Sequence, residues 1–542
     1  MVTLMAPLLP TLCLALGGVQ ETPDPPRLIV LISVDQMIPE HLRRLEPWIE
    51  GGFRRFLDAE VWENAHHEHA ISDTAPGHAT LGTGVHPSRH GVIANSWLSP
   101  KTGRIAYCVG DPGARALGPE GVLENIGSSS PTNLLVPALG DYLKAANADS
   151  VTVAIAGKDR AAILSSGKDV DLALWWNRPI GGFISSSWYG ERLPEWVAQW
   201  NEGWIPRSAE HLWEELLEGE LEGSGTDADD RPGEPPGRKT FPHRAPRPGA
   251  GGDTAALGRW VFSSPLIDLY TLELAGQALE RYSMGRDESV DYLFVGLSAC
   301  DTLGHAYGPY SHEVTDVLLR ADRGLETLFR QIDEQVGRDR WVAALSSDHG
   351  ILELPEALRR KGLPAQRHSL ATSGAAVATM GKSLAESFGE GILLGAGWRG
   401  LRFSHERMRV GELESEEVED FAVDMLSEID FIQRIFTRTE LEGWSSSGLG
   451  EDPLLDLMAR SYHPERSWDL VFAFKPWKVF QAHGTSHGSP WPYDRKVPLA
   501  FLGPGHQRGK SHTRVATTDV LPTLLSRAGL PVPSDIDGKI LP

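Results

Sequence analysis

Six side chains of metal-ligating type occur in tight local groups along this sequence: Asp35, Asp301, His305, Asp348, His349 and His487. Carboxylate and imidazole ligands suit Zn²⁺, and six of them divide into two three-ligand sites that leave positions open for a substrate. Two such ions about 4 Å apart can hold the attacking and the leaving oxygens of a phosphoryl transfer. A cysteine cluster is excluded, because only Cys108 and Cys300 follow the N-terminal segment.

A hydroxyl suited to act as a nucleophile lies in the Ser-Asp-Thr-Ala-Pro-Gly-His segment at 72–78. The Pro-Gly turn indicates a helix start, where free backbone N–H groups and the helix dipole favour a phosphate. A metal ion beside the Thr74 oxygen would lower the pKa of this hydroxyl toward the alkoxide. The same pattern also fits a simple capped helix, and Ser72 is an alternative nucleophile.

Three short β-branched runs each end near a candidate ligand: 28–34, 292–297 and 341–345. Runs that are apolar on both faces are typical of central strands in a mostly parallel sheet. An amphipathic helical pattern covers 314–332, and further strands are expected at 151–155 and 497–502. The sequence therefore predicts an α/β fold with a mostly parallel central sheet flanked by helices. Its ligands should lie beyond the carboxyl ends of the strands.

The length of 542 residues is enough for a large core and an inserted domain. We expect the core to comprise residues 27–354 and 481–542, separated by an inserted α+β cap subdomain at 355–480. Helical patterning at 413–428 and a strand-like run at 470–474 support the insertion.

Several other features are expected to have no catalytic role. Residues 219–254 are rich in Gly, Pro, Asp and Arg and predict a low-complexity surface insertion. Three closely spaced histidines match no ligand position and are interpreted as structural: His66, His67 and His69.

His483 is an alternative to His487 as a metal ligand.

The formal charge of −22 argues against nucleic acid or an anionic membrane as a partner. An anionic substrate must therefore be attracted locally, by metal ions or a few buried cations. Residues 1–20 carry no charged side chain and contain an apolar run at 4–16, which predicts a signal peptide and a periplasmic or secreted protein. No later run is long enough to span a membrane, and the oligomeric state stays open.

The order of these motifs along the chain resembles one family. Asp35, Thr-Ala-Pro-Gly-His at 74–78, Asp301 with His305, Asp-His-Gly at 348–350 and the 484–489 loop together resemble the type I phosphodiesterase and nucleotide pyrophosphatase branch of the alkaline phosphatase superfamily. Within that branch, the segment at 157–163 resembles the PafA-like alkaline phosphatases, which act on phosphate monoesters.

The resemblance implies two zinc ions per chain. The first would be held by Asp301, His305 and His487. The second would be held by Asp35, Asp348 and His349, with Thr74 bridging to it.

The resemblance also implies residues that bind the phosphate. Asn95 would donate to a phosphoryl oxygen. Lys158 and Arg160 are two residues apart, so on an extended segment they would point the same way and converge on one phosphate.

The activity implied is that of a zinc-dependent alkaline phosphatase, which hydrolyses small phosphate monoesters through a phosphothreonine on Thr74. A phosphodiesterase or nucleotide pyrophosphatase on the same scaffold is the alternative enzyme. A zinc-dependent binding protein with a degenerate site is the alternative from another class.

Overall fold

The computed structural model describes residues 25–221, 223–237, 240–249, 253–445 and 450–542. The predicted signal peptide at 1–20 lies outside these residues. None of the helices in the described part of the chain combines the length and the apolar character needed to cross a membrane.

The described residues form strands and helices that alternate along the chain. The strands are β1 Leu28–Val34, β2 Glu60–Trp62, β3 Ala65–His66, β4 Ser96–Leu98, β5 Ile105–Tyr107, β6 Ala116–Gly118, β7 Gly121–Val122, β8 Thr152–Ala156, β9 Leu172–Trp176, β10 Phe183–Ser186, β11 Leu212–Trp213, β12 His243–Arg244, β13 Asp291–Leu297, β14 Trp341–Ser346, β15 Gln366–Arg367, β16 Leu393–Gly397, β17 Gly400–Phe403, β18 Ile432–Thr437, β19 Leu470–Phe474, β20 Lys478–Val479, β21 Lys496–Val497, β22 Ala500–Leu502, β23 Gly509–Ser511 and β24 Val515–Ala516. The helices are α1 Pro39–Leu45, α2 Gly52–Leu57, α3 Thr74–Thr83, α4 Pro87–His90, α5 Leu139–Ala146, α6 Asp159–Ser166, α7 Glu195–Glu202, α8 Trp204–Ser208, α9 Ala255–Phe262, α10 Leu266–Arg281, α11 Ala299–Tyr307, α12 His312–Val336, α13 Pro355–Arg360, α14 Leu370–Phe388, α15 His405–Val410, α16 Ser415–Leu426, α17 Arg438–Glu442, α18 Pro453–Ser461, α19 Pro492–Arg495 and α20 Val520–Arg527.

The main sheet has eleven strands in the order β23-β2-β22-β14-β1-β13-β8-β9-β10-β6-β7. Its centre, from β14 to β9, is parallel. The predicted α/β fold is confirmed, and so are the strands expected at 28–34, 292–297 and 341–345. The margins differ from a mostly parallel sheet, because β22 pairs antiparallel to β14, and β10 pairs antiparallel to β9.

Strand β1 shows why the centre of the sheet is apolar on both faces. Leu28, Val30 and Ile32 pack into one cluster with α10 and α12, whereas Ile29 and Leu31 pack into a second cluster with α3, α6 and α20. Successive side chains of a strand point to opposite faces, so a strand between two helix layers must be apolar throughout. The central strands are therefore buried between the two helix layers.

A separate four-stranded sheet, in the order β16-β17-β19-β18, lies within the segment predicted to be a cap. Helices α14 and α16 pack on it, and their apolar faces form a cluster of their own. The helical pattern expected at 413–428 and the strand expected at 470–474 correspond to α16 and β19.

The segment at 219–254 differs in part from the predicted surface insertion. Arg231 is 3% exposed and pairs with Glu353 at 2.7 Å. The carbonyl oxygen of Gly233 accepts a hydrogen bond from the N–H of Gly484 at 2.6 Å. The low apolar content of the 219–254 segment gave no sign of this burial. The buried residue is the charged Arg231, whose charge is neutralised by the buried carboxylate of Glu353.

Candidate active site

The candidate ligands lie where three adjacent parallel strands end. Asp35 directly follows β1, and Asp348 follows β14 by two residues. On the other side of β1, β13 leads into α11, which carries Asp301 and His305 one turn apart on one face. Neighbouring parallel strands end at the same edge of a sheet, so this topology brings the side chains together.

The first ligand group consists of Asp301, His305 and His487. One ligand atom from each lies within 4.8 Å of the others. The carboxylate Oδ1 of Asp301 is 3.3 Å from Nε2 of His305 and 3.7 Å from Nε2 of His487. These three residues meet as the resemblance implies.

The second ligand group contains a residue that the sequence analysis missed. Ligand atoms of Asp35, Asp348 and His78 lie within 4.8 Å of one another. The expected ligand His349 is also present, with its Nε2 at 3.1 Å from Oδ2 of Asp348. His78 belongs to the Thr-Ala-Pro-Gly-His motif at 74–78. It lies one helical turn after Thr74, on the same side of α3, and this spacing could have identified it from the sequence.

Backbone carbonyl groups fix the orientation of all three expected histidine ligands. Nδ1 of each lies within 2.9 Å of a carbonyl oxygen, which can only accept a hydrogen bond, so Nδ1 carries the proton. The pairs are His305 with Thr485, His349 with Gly350, and His487 with Ser72. The lone pair on each Nε2 is therefore free to bind a metal ion.

Buried atoms of the second group also fit a cation. Oδ1 of Asp35, Oδ2 of Asp348 and Nε2 of His78 are buried, and none has a hydrogen-bond partner among the residues that the structure describes. Nδ1 of His78 lies 3.0 Å from the carbonyl oxygen of Thr74 and so carries the proton. Three facing lone pairs in a buried space are costly unless a cation lies between them. The donor set of imidazole nitrogens and carboxylate oxygens suits a divalent ion of the zinc type.

Thr74 is the first residue of α3 and is 1% exposed. Its Oγ1 lies 3.4 Å from Nε2 of His349 and 3.5 Å from Nη2 of Arg160. The hydroxyl thus stands between the second ligand group and a guanidinium.

The two alternatives from the sequence lie elsewhere. The hydroxyl of Ser72 donates to the carbonyl oxygen of Ser489 at 3.1 Å, which directs it toward the 484–489 loop. His483 belongs to neither ligand group in the described part of the chain. Thr74 and His487, and not the two alternatives, lie at the ligand groups.

Asn95 is held by the first turn of α3. Its Oδ1 accepts a hydrogen bond from the N–H of Ala75 at 2.9 Å. This bond leaves the Nδ2 amide of Asn95 as the group that can donate into the site.

The sequence analysis assumed that Lys158 and Arg160 lie on an extended segment, but they lie at the start of a helix. Lys158 is the N-cap of α6, and Arg160 lies in its first turn. Both side chains reach the site from this helix end, but they reach different atoms. Asp159 in the first turn and Gly167 after the last residue were helix signals that the sequence contained.

Lys158 joins the two ligand groups. Its Nζ lies 2.9 Å from Oδ2 of Asp35 and 2.5 Å from Oδ2 of Asp301. Burial opposes the charge of Asp301, but the Lys158 ammonium and the neighbouring histidines hold the pKa of this carboxyl well below its usual range. The lysine therefore neutralises one carboxylate from each group.

Arg160 is oriented by a network on its other side. Its Nη1 lies 3.4 Å from the hydroxyl of Tyr107, which donates to Asp159 at 2.6 Å. Burial opposes its charge, but Tyr107 and Asp159 raise the pKa of Arg160 above its usual value. The guanidinium is a fixed positive charge beside Thr74.

Asp73, which precedes Thr74, forms a bidentate ion pair with Arg399 from the segment predicted to be a cap. Nη1 of Arg399 donates to Oδ2 of Asp73 at 2.7 Å, and Nη2 donates to Oδ1 at 2.6 Å. Burial opposes ionisation, but the guanidinium lowers the pKa of Asp73 to about 2. Both residues line a cleft of about 440 Å³ that also contains Asn95 and His487.

The three closely spaced histidines occupy structural positions. Nε2 of His67 lies 2.9 Å from the carbonyl oxygen of Ser347, and its Nδ1 lies 2.9 Å from the hydroxyl of Thr517. Burial lowers the pKa of His67 to about 4, so the ring is neutral. His66 and His69 belong to neither ligand group in the described residues.

The parallel α/β centre, the two ligand groups at its strand ends and the hydroxyl at a helix start define the class, which is that of the alkaline phosphatase superfamily. More specifically, residues 29–386 match the sequence model of the type I phosphodiesterase / nucleotide pyrophosphatase family, and the chain belongs to that family.

Curated relatives match nearly the whole chain. Alkaline phosphatase PafA of Elizabethkingia meningoseptica is 31% identical, over 96% of this chain and 95% of its own length. Alkaline phosphatase PhoK of a Sphingomonas species is 32% identical, over 95% of this chain and 91% of its own length. The crystal structure of wild-type PafA matches with a TM-score of 0.84 at 28% identity, and the match covers 95% of this chain and 98% of that one.

Proposed function

We propose that this protein is an alkaline phosphatase that hydrolyses small phosphate monoesters. One observation carries the proposal: the Thr74 hydroxyl lies at a helix start between the second ligand group and the Arg160 guanidinium. Full-length similarity to proteins named alkaline phosphatase supports it.

The proposed metal content is two zinc ions. Asp301, His305 and His487 would hold one ion. Asp35, Asp348 and His349 would hold the other, with Thr74 bridging to it, and Nε2 of His78 is a further candidate ligand of this ion. When bound, the ions would lower the pKa of the nucleophilic hydroxyl and neutralise charge on the leaving oxygen.

The residues of the chain have separate tasks in this reaction. Oγ1 of Thr74 forms a bond to phosphorus while the bond to the leaving alcohol breaks, and water then hydrolyses the phosphothreonine. The Nδ2 amide of Asn95 and the Arg160 guanidinium donate to the non-bridging oxygens. Lys158 neutralises one carboxylate of each ligand group, which reduces the negative charge that an anionic substrate would meet in the site.

A crystallised PafA variant supports these four assignments. The variant carries replacements of a Thr, an Asn, a Lys and an Arg. The Thr and the Asn have the same spacing as Thr74 and Asn95, and the Lys and the Arg have the same spacing as Lys158 and Arg160.

A phosphodiesterase is the second candidate, because the matching family is described as type I phosphodiesterase / nucleotide pyrophosphatase. Rates on an aryl phosphate monoester and the matching diester, measured side by side with zinc supplied, decide between the two. A higher kcat/KM on the diester would overturn the monoesterase proposal. Absence of turnover on both, in zinc-loaded protein, would favour a binding protein.

We also propose the division of the chain into a core at 27–354 and 481–542 and a cap at 355–480. The separate four-stranded sheet and its own apolar cluster support it. Limited proteolysis that cuts first near both ends of the cap is the expected result. Cleavage confined to other segments would contradict it.

A further inference from the structure

The ion pair between Asp73 and Arg399 connects the start of the nucleophile helix to a distant part of the chain. Arg399 lies in the turn between β16 and β17, 326 residues from Asp73. Both side chains are about 10% exposed, and the two parallel N–H to oxygen bonds fix both planes. The guanidinium also lies over the ring of Trp398, 3.9 Å from its centroid.

Asp73 occupies the N-cap position of α3 but makes no cap hydrogen bond with its side chain. An N-cap aspartate normally accepts from the second or third N–H of its helix. In α3 the third residue is Pro76, which has no N–H, so Ala75 offers the N–H that Asp73 would take. That N–H instead donates to Oδ1 of Asn95.

The Asp73 carboxylate also carries a negative charge next to the helix start. Negative charge is favoured at a helix N-terminus, so an unrestrained carboxylate would compete there with the phosphate. Arg399 neutralises this charge and donates to both oxygens of the carboxylate, and Oδ2 also accepts a weaker hydrogen bond from the backbone N–H of Asn95 at 3.4 Å.

The loop that carries His487 packs against the same ion pair. Gly488 has a φ of +101°, and a Cβ at this position would lie 2.7 Å from Oδ1 of Asp73 and closer still to Nη2 of Arg399. The loop, the ion pair and the nucleophile helix are therefore fitted together.

We propose that Arg399 is a positioning residue that keeps the Asp73 carboxylate off the start of α3, which leaves the Ala75 N–H to Asn95 and leaves the phosphate position free. This inference rests on the proposed function, since it concerns the phosphate that the same site would bind.

The test uses Arg399→Met in the full-length, zinc-loaded protein, because methionine removes the charge and retains an apolar chain on Trp398. Freed from its partner, Asp73 should capture the Ala75 N–H and repel the anion. We expect the inhibition constant of inorganic phosphate and the monoester KM to rise about tenfold or more. Melting temperature and zinc content serve as measures of folding and of the metal groups.

The decisive comparison is the double variant Asp73→Ala/Arg399→Met. Alanine can neither cap α3 nor repel phosphate, so the inhibition constant should return to within about threefold of wild type. Arg434→Met is the matched control. Arg434 pairs with Glu440 and Asp452 within the 355–480 segment and is not among the residues that line the cleft.

The possible outcomes separate the two proposals. An unchanged inhibition constant in Arg399→Met, or a double variant as impaired as the single one, overturns the role of Arg399. If Arg399→Met does not fold, Arg399→Lys with and without Asp73→Ala supplies the same comparison, because lysine cannot engage both oxygens. If wild-type protein binds phosphate more tightly than Arg399→Met but hydrolyses no monoester, only the proposed function is contradicted.

Discussion

Replacement of Arg160 by alanine should slow monoester hydrolysis far more than diester hydrolysis. The Arg160 Nη2 lies 3.5 Å from the Thr74 oxygen that would bind phosphorus. Tyr107 and Asp159 already orient the guanidinium, so little freedom is lost when it binds a substrate oxygen.

The magnitude follows from this geometry. Two unit charges 4 Å apart attract by about 4 kcal/mol at an effective dielectric constant of 20, and part of this is offset by desolvation. Hydrogen bonds to charged groups contribute about 1.5–3 kcal/mol net. This range corresponds to roughly 10- to 150-fold in kcat/KM. A diester lacks the second negative charge, so its loss should stay within about fivefold.

The assay compares kcat/KM of Arg160→Ala and wild type on an aryl monoester and the matching diester, with zinc content measured for each preparation. Arg104→Ala is the control. Arg104 directly precedes β5, the strand that carries Tyr107, and it is exposed and makes no side-chain ion pair in the described structure. It removes the same charge without touching Thr74 and should leave both rates near wild type. Equal losses on both substrates in Arg160→Ala would refute the reasoning.

Four further outcomes are expected. Thr74→Ala should abolish turnover of both substrates while zinc content stays near wild type, and residual phosphothreonine in that variant, sought by mass spectrometry, would point to another nucleophile. Lys158→Ala should slow the hydrolysis of both substrates and change the zinc affinity, because Lys158 contacts Asp35 and Asp301. Competition with a chelator measures the affinity, and a loss of activity on the monoester alone would contradict this expectation. His487→Ala should lower bound zinc and activity together by elemental analysis and rate measurement, and a metal-free variant with full activity would disprove the metal assignment. Protein recovered from its native host should begin near residues 18–22 by N-terminal sequencing, whereas an intact Met1 would count against export.

Much of the fold could be predicted from local patterns. The central strands are buried over their full length and mostly apolar on both faces, and α12 carries one continuous apolar stripe, so each pattern has one interpretation. The antiparallel direction of β22 could not be predicted, because strand direction depends on the partner and not on the side chains of the strand.

The candidate site was predictable where a short motif contains the chemistry. Asp301 and His305, and Asp348 with His349, are local pairs whose spacing already places them together. Lys158 contacts one carboxylate that directly follows β1 and one that lies on α11, and Arg399 contacts Asp73 across 326 residues. Such contacts exist only after the sheet and the cap have formed, so neither the role of Lys158 between the two groups nor that of Arg399 follows from spacing.

The order of the ligands along the chain has a consequence for biosynthesis. The second group is complete once His349 has been made, whereas the first group lacks a ligand until synthesis has passed through the whole 355–480 segment to His487. A chain that ends within that segment lacks His487 and can therefore supply all the ligands of only one of the two groups. Bound metal per chain would then distinguish chains that end before His487 from chains that contain it.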